Sequence, residues 1–146
     1  MRLTPKTITF IFFLLGILSV TSQTTEESIN DFKQQTEAIV TVNENHNIAE
    51  FVRFPFHKPL ALQGNSPQEK VNDFLNQYKS IYNLTSISNS LEHLEVKTDN
   101  YGLKNVILKQ YLEDVPVFDA ELRFHFNSEN QLTAINGNFI PFIKTT

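Results

Sequence analysis

Alternation of apolar and polar side chains is clearest between Tyr111 and Phe126. One side of this period-two pattern carries Pro116, Phe118, Ala120, Leu122, Phe124 and Phe126, and the other carries Asp119, Glu121, Arg123 and His125. A period of two is typical of a long strand with one buried face and one face in solvent. We therefore expect the first set to lie in the core, and Phe118, Leu122 and Phe124 to be largely buried.

A different period precedes this strand. Ser66, Pro67 and Glu69 form the pattern of a capping box with proline in the first helical position. Apolar residues then recur at helical spacing, namely Val71, Phe74, Leu75, Tyr78, Ile81 and Tyr82. The pattern predicts an amphipathic helix that ends near Tyr82 or Asn83, with Phe74 and Tyr78 in the core.

Four strands are predicted after this helix, at residues 91–98, 103–112, 115–126 and 131–140. Leu108 is expected to be buried in the second. In the last, the alternation shifts at Ala134 and Ile135 and Gly137 follows, which predicts a bulge. The predicted fold class is α+β, with one main amphipathic helix packed on an antiparallel β-meander of about four strands.

Residues 23–65 give weaker signals. The spacing of Ile29, Phe32, Ala38 and Ile39 allows a weak helix, and residues 51–56 allow a short edge strand because Pro55 removes a ladder donor. We expect a loosely structured leading segment there, followed by a folded domain over residues 66–146.

The first 22 residues have the layout of a secretory signal peptide. Arg2 and Lys6 precede an apolar run from Ile8 to Leu18, and cleavage is expected after Ser22. The alternative is a membrane anchor, but the run is well short of the roughly 20 residues needed to span a bilayer. Secretion, without membrane attachment after cleavage, is therefore predicted.

The remaining chain carries 10 basic and 16 acidic residues and no cysteine. Its acidic balance argues against nucleic acid as a partner, and without cysteine its stability must come from an apolar core.

The sequence contains no recognisable catalytic motif, phosphate-binding glycine loop or metal-ligand spacing. Catalytic residues, metal ligands and cofactors are therefore predicted to be absent. A cross-strand metal site formed by His93 and His125 is conceivable, but solvated histidines on a strand face are the favoured interpretation. The face with Asp119, Glu121, Arg123 and His125 suits either plain solvated surface or a docking surface.

Several segments, in order, resemble the FTP domain, the fungalysin/thermolysin propeptide of secreted zinc metalloproteases. They are Phe74-Leu75-Asn76-Gln77-Tyr78, Lys109-Gln110-Tyr111, Val115-Pro116-Val117-Phe118, Glu121-Leu122 and Ile135-Asn136-Gly137. The similarity runs over residues 66–142. It departs from the family where glycines are usual, since Asp114 precedes the Val-Pro-Val run and Asp119 and Ala120 follow it.

The resemblance implies a non-catalytic prosegment that helps its protease domain to fold and keeps it inactive. Zinc and the catalytic glutamate would belong to the partner, a metalloprotease catalytic domain attached in cis or bound in trans. The expected docking residues are Asp119, Glu121, Arg123 and His125. Because such propeptides normally precede a second pro-domain and the protease domain, a truncated precursor is expected.

Two other functions stay open. A freestanding secreted peptidase inhibitor is compatible with the same architecture, because helix plus antiparallel meander also describes cystatin-like inhibitors. A ligand-binding module is the other. A small enzyme is disfavoured, because no convergent acid, base or metal groups are present.

Overall fold

The computed structural model describes residues 23–84 and 91–141, apart from the side chains of His93 and Leu94. The predicted signal peptide, residues 85–90 between the predicted helix and the next predicted strand, and the end of the family resemblance at Phe142 lie outside these residues.

The described chain folds into a six-stranded antiparallel sheet with two α-helices, which confirms the α+β class. The strands are β1 (Ile39–Asn43), β2 (Ile48–Arg53), β3 (Leu91–Thr98), β4 (Lys104–Leu112), β5 (Val115–Phe126) and β6 (Leu132–Gly137). The helices are α1 (Thr25–Thr36) and α2 (Pro67–Tyr78), and a 3-10 helix (Lys79–Tyr82) follows α2. The sheet order is β1-β2-β6-β5-β4-β3, so the predicted four-strand meander is present but two further strands extend it.

Helix α2 begins as its sequence predicts. The Ser66 side chain accepts a hydrogen bond from the Glu69 N–H, and the Glu69 carboxylate accepts one from the Ser66 N–H, which closes the capping box. The helix continues as a 3-10 turn through Tyr82 and stops at Asn83, whose backbone is left-handed. One face buries Val71, Phe74 and Leu75.

The leading segment, expected to be loosely structured, instead contributes a helix and two strands. Thr24 and Glu27 form a second capping box at the start of α1, so this helix has a clear boundary that the sequence prediction passed over. The helix buries Ile29 and Phe32. Ordered caps and a buried stripe make α1 an integral part of the domain.

Strand β2 is also not an edge strand, because it lies between β1 and β6. Pro55 follows the end of the strand at Arg53 and therefore removes no ladder hydrogen bond. The outer strand β1 comes from the β-branched run Ile39 to Val42, a composition that favours strand. Its turn is stabilised by the Asn43 side chain, which accepts hydrogen bonds from the backbone N–H groups of residues 45 and 46.

An aromatic cluster joins the leading segment to the rest of the domain. The Phe74 ring lies 6.1 Å from Phe32, 6.5 Å from Phe54 and 5.6 Å from Phe124, all in edge-to-face geometry. Such pairs contribute about 0.5–1.5 kcal/mol beyond the burial of their area. Because Phe32 and Phe54 belong to residues 23–65, both parts of the chain share one core.

The core predictions hold with two exceptions. Phe74, Leu108, Leu122 and Phe124 are buried, and Tyr78 is partly buried against them. The predictions for Phe118 and Pro116 are wrong, because the Phe118 side chain is 94% exposed and Pro116 is exposed as well. The β6 bulge occurs beside the predicted position, since Thr133 is the extra residue between the Phe126–Leu132 and His125–Ala134 pairs.

Candidate docking surface

The two faces of the sheet differ in what covers them. Phe124 points to the face on which Phe74 of α2 packs, and the alternate residues of β5 point to the other face. Within the described residues this second face, hereafter the open face, is not covered by α1 or α2. It includes Glu121 of β5 and two cross-strand rows: Thr41, Phe51, Asn136, Arg123, Ile107 and Glu95, and then Ile39, Arg53, Ala134, His125, Asn105 and Lys97.

Glu121 and Arg123 form an ion pair near the middle of the open face. The Arg123 Nη2 atom donates to the Glu121 Oε1 atom at 2.6 Å, and both side chains remain partly exposed. The Arg123 Nε is buried without a hydrogen-bond partner in the described structure. Ile107, directly opposite Arg123 on β4, is buried although it lies on the open face. The guanidinium group of Arg123 therefore lies over the apolar side chain of Ile107, and N–H groups of Arg123 could donate hydrogen bonds to a bound protein.

His125 is fixed by its neighbours on β6. Its Nε2 atom lies 2.6 Å from the Asn136 Oδ1 atom, and its carbonyl oxygen accepts a hydrogen bond from the Thr133 hydroxyl at 3.0 Å. Glu121, Arg123 and His125 therefore occupy successive outward positions of one strand, as their spacing predicts. Asp119 is exposed but lies where the strand kinks.

Residues 111–119 form a two-stranded projection at the end of the β4–β5 hairpin, hereafter the hairpin arm. Tyr111 pairs with Pro116 and Leu112 pairs with Val115, and the turn between them is Glu113-Asp114. Strand β3 begins opposite Gln110 and β6 ends opposite Leu122, so the arm extends beyond both neighbouring strands. The arm contains the family-motif residues Tyr111, Val115, Pro116, Val117 and Phe118.

A kink at Asp119 explains why Phe118 is exposed. From Pro116 to Glu121 strand β5 advances five residues, while its partner β4 advances only two, from Tyr111 to Lys109. Asp119 absorbs part of this mismatch with a left-handed backbone, φ 56°. The alternation therefore restarts at Ala120, and the phase that buries Leu122 no longer applies to Phe118.

Two departures from the family pattern coincide with left-handed backbone. Asp114 has φ 65° and Asp119 has φ 56°, and both stand where the resembling family has glycine. Glycine adopts this conformation without steric cost, whereas an L-residue does so at a cost that is smaller for Asp and Asn than for most others. The glycines that the family has at these two positions were therefore the sequence signal for the turn at Asp114 and the kink at Asp119.

Gly137 stands where β6 approaches the base of the arm. A Cβ atom on this residue would lie 2.0 Å from the Glu121 carbonyl oxygen, so no side chain fits. The same oxygen accepts a hydrogen bond from the Asn138 N–H at 3.0 Å. The glycine of the family motif thus permits a close backbone contact.

Gln110 is a positioning residue that sequence reasoning did not single out for a role. It is buried, and its side chain donates to the Ile140 carbonyl at 2.6 Å and accepts from the Ile140 N–H at 3.0 Å. The chain that leaves β6 is therefore fastened beside the first residue of the arm. The available signal was a polar residue in phase with the buried Val106 and Leu108.

A depression joins the arm to the open face. It has a volume of about 340 Å³ and is lined by Glu50, Phe51, Asp119, Glu121, Asn136, Gly137 and Asn138. Asp119 and Glu121 line it together, so all four predicted docking residues belong to one contiguous surface region.

The described residues contain no group of three or more His, Asp or Glu side chains placed to hold a metal ion. The backbone of His93 pairs with Leu108, whereas that of His125 pairs with Asn105, so the two histidines are not in register. Among residues 23–84 and 91–141, no helix has the length and apolar character needed to cross a membrane.

A family model matches the part of the chain that forms the antiparallel meander. No solved structure matches the chain. Residues 89–139 match the family model described as Fungalysin/Thermolysin Propeptide Motif. This stretch contains β3 to β6, the hairpin arm and Gly137, and is narrower than the resemblance over residues 66–142. The matched family is a motif of protease propeptides and not a catalytic domain. Residues 89–139 of this chain are therefore similar to the fungalysin/thermolysin propeptide motif.

Proposed function

We propose that the chain is a non-catalytic prosegment of a secreted thermolysin- or fungalysin-like metalloprotease, which assists folding of the protease domain and inhibits it. The observation that carries this proposal is the propeptide-motif match over β3 to β6. Export through residues 1–22, with cleavage after Ser22, is part of the proposal. The catalytic zinc and base belong to the partner.

The physical mechanism is preferential binding to the folded protease. A module that binds the native protease domain, and not its unfolded chain, stabilises the native state by mass action. The same binding inhibits the enzyme when the bound surface blocks substrate. Neither effect requires a catalytic group in the prosegment.

The proposed docking surface is the centre of the open face. Asp119, Glu121, Arg123 and His125 carry both signs of charge, and hydrogen bonds to neighbouring side chains hold the last three. The opposite face is occupied by the helices. Pre-ordered side chains lose less conformational entropy on binding, which favours affinity.

The test is binding of residues 23–146 to mature thermolysin and to a mature fungalysin, measured by calorimetry and by inhibition of peptide hydrolysis. The variant combines Glu121→Lys with Arg123→Glu, which keeps the net charge and reverses the pair. We expect affinity to fall about tenfold or more, a loss of about 1.4 kcal/mol or more. The melting temperature should change little, because surface substitutions usually shift stability by under about 0.5 kcal/mol.

A matched control is available on β3. Glu95 and Lys97 form an ion pair with the same spacing, at 2.8 Å, on the margin of the open face. Exchanging them, Glu95→Lys with Lys97→Glu, should leave affinity within about twofold, because rim charges contribute little to affinity.

Two outcomes would contradict the proposal. Equal binding by the Glu121/Arg123 variant would remove the docking surface from the centre of the open face. If the folded protein binds neither protease, the proposed prosegment function is wrong. Binding to peptidases of another class would then favour the freestanding inhibitor.

A further inference from the structure

The hairpin arm exposes more apolar surface than a solvated turn requires. Phe118 is 94% exposed and Val115 is 64% exposed, and Pro116 between them is exposed as well. Large apolar side chains grouped at one site on a surface are typical of interaction sites, whereas single ones are ordinary.

The backbone holds these side chains away from the core. Glu113, Asp114 and Asp119 all have left-handed backbone, and none of them is glycine. The kink at Asp119 takes Phe118 out of the phase that would bury it. Backbone strain of this kind occurs preferentially where function depends on an unusual local geometry.

The charge of the arm limits the chemistry of what can cover it. Residues 111–119 contain three acidic residues and no basic one. In the described structure none of the three acids forms an ion pair. An apolar centre with an acidic rim is complementary to an apolar pocket rimmed by Lys or Arg. A second copy of this chain is a poor occupant, because two acidic arms would repel each other.

Position links the arm to the proposed interface. The depression lined by Asp119 and Glu121 makes the arm continuous with the open face. The Gln110 clamp on Ile140 also directs the chain after β6 out beside the arm. Ile140 therefore lies next to the base of the arm.

We propose that the arm is an anchor that inserts Phe118 into an apolar pocket, rimmed by basic side chains, on the metalloprotease catalytic domain. This inference rests on the proposed function and names the part of the prosegment that carries most of the affinity. Aromatic anchors seated in pockets commonly dominate interfaces.

The experiment compares two phenylalanines in residues 23–146, which contain every described helix and strand of the common core. Phe118→Ser removes the proposed anchor. Phe56→Ser is the matched control, because Phe56 is 98% exposed in the loop after β2, away from the arm. With mature thermolysin and a mature fungalysin as probes, Phe118→Ser should weaken binding at least about 30-fold, the size expected of an interface hot spot. Phe56→Ser should change binding by less than about twofold.

The acidic rim gives a second readout. Glu113→Gln combined with Asp114→Asn should slow association and reduce its dependence on salt, because rim charges act mainly on the association rate. Unchanged association and salt dependence would contradict the basic rim of the pocket.

The remaining outcomes separate the arm from the proposed function. If wild-type protein binds and Phe118→Ser binds equally well, the anchor is wrong and the prosegment function stands. If wild-type protein binds neither probe, both fail. If sedimentation reveals a dimer that Phe118→Ser abolishes, the occupant is a second copy and the inference is overturned.

Discussion

The two halves of β5 differ in burial although the same set of every-second apolar residues runs through both, from Pro116 to Phe126. Over residues 120–126 every second side chain is buried, including Leu122 and Phe124. Over residues 115–118 the side chains are exposed or half-exposed, and Phe118 is the extreme case. Composition does not separate the halves, since both are rich in apolar residues.

What separates them is their neighbours and one backbone angle. The buried half lies between β4 and β6 and beneath α2, whereas the exposed half, within residues 23–84 and 91–141, pairs with β4 alone. At the junction, Asp119 adopts φ 56° and restarts the alternation. A periodic pattern thus predicts which residues share a face only as far as the backbone stays regular.

The sharpest contrast is between the two phenylalanines of this strand. Phe124→Ala should destabilise the domain by about 3–5 kcal/mol, because it leaves a cavity in the aromatic cluster. Phe118→Ala should cost less than about 0.5 kcal/mol, because its ring is in solvent. Urea unfolding of both variants measures the difference. Similar losses for the two would mean that Phe118 belongs to the core after all.

The junction can be tested at the backbone with two glycines. Gly137→Ala places a Cβ atom against the Glu121 carbonyl, and the expected loss of stability is about 1–3 kcal/mol. Gly102 has a left-handed φ of 79°, but a Cβ atom there would meet only the Ser128 side chain, at an ordinary contact distance of 3.5 Å. Gly102→Ala should therefore cost only about 1 kcal/mol, for the backbone conformation alone. Equal losses in thermal melts would show that the base of the arm can move aside.

Asp119 itself should respond to conformational preference. Asp119→Gly should stabilise the domain by up to about 1 kcal/mol, because glycine accepts positive φ without steric cost. Asp119→Val should destabilise it, because a β-branched residue is disfavoured there. The two variants should shift the urea midpoint in opposite directions. A shift in the same direction would argue against a kink set by φ.

The smallest effect concerns the helix that covers the buried half. Backbone N–H groups of Asn65 and Ser66 hydrogen-bond to the Glu69 carboxylate and lower its pKa from 4.5. Because the folded-state pKa is the lower one, this contribution is present above the unfolded pKa and is lost as pH falls through the folded one. Glu69→Gln keeps an acceptor in the capping box but cannot ionise. Between about pH 6 and about pH 3, the melting temperature of the Glu69→Gln variant should therefore fall less steeply than that of the wild type. An equal slope would contradict the contribution assigned to the Glu69 carboxylate.

Much of the fold could be predicted because local signals agreed with it. The Ser66 capping box, the helical stripe of α2 and the alternation over residues 120–126 all matched their structures. The leading segment was underestimated for a different reason. Its capping box at Thr24 and Glu27 was passed over. Its packing also depends on contacts of Phe32 and Phe54 with Phe74, which no local pattern records.

The candidate site was predictable only in part. The phase of Glu121, Arg123 and His125 follows from alternation alone. The arm does not, because it depends on left-handed residues whose identity, Asp rather than Gly, hides the conformation. The glycines of the resembling family mark two of those positions, which is why a family pattern carried information that the single sequence lacked.

Hydrogen exchange with and without bound mature thermolysin or fungalysin tests the contrast between the covered face and the docking surface most directly. Binding through the open face and the arm should slow exchange in peptides covering residues 111–121, while α1 and α2 should stay near their free-state rates. Slowing confined to the two helices, with residues 111–121 unchanged in a bound complex, would contradict the docking surface proposed here.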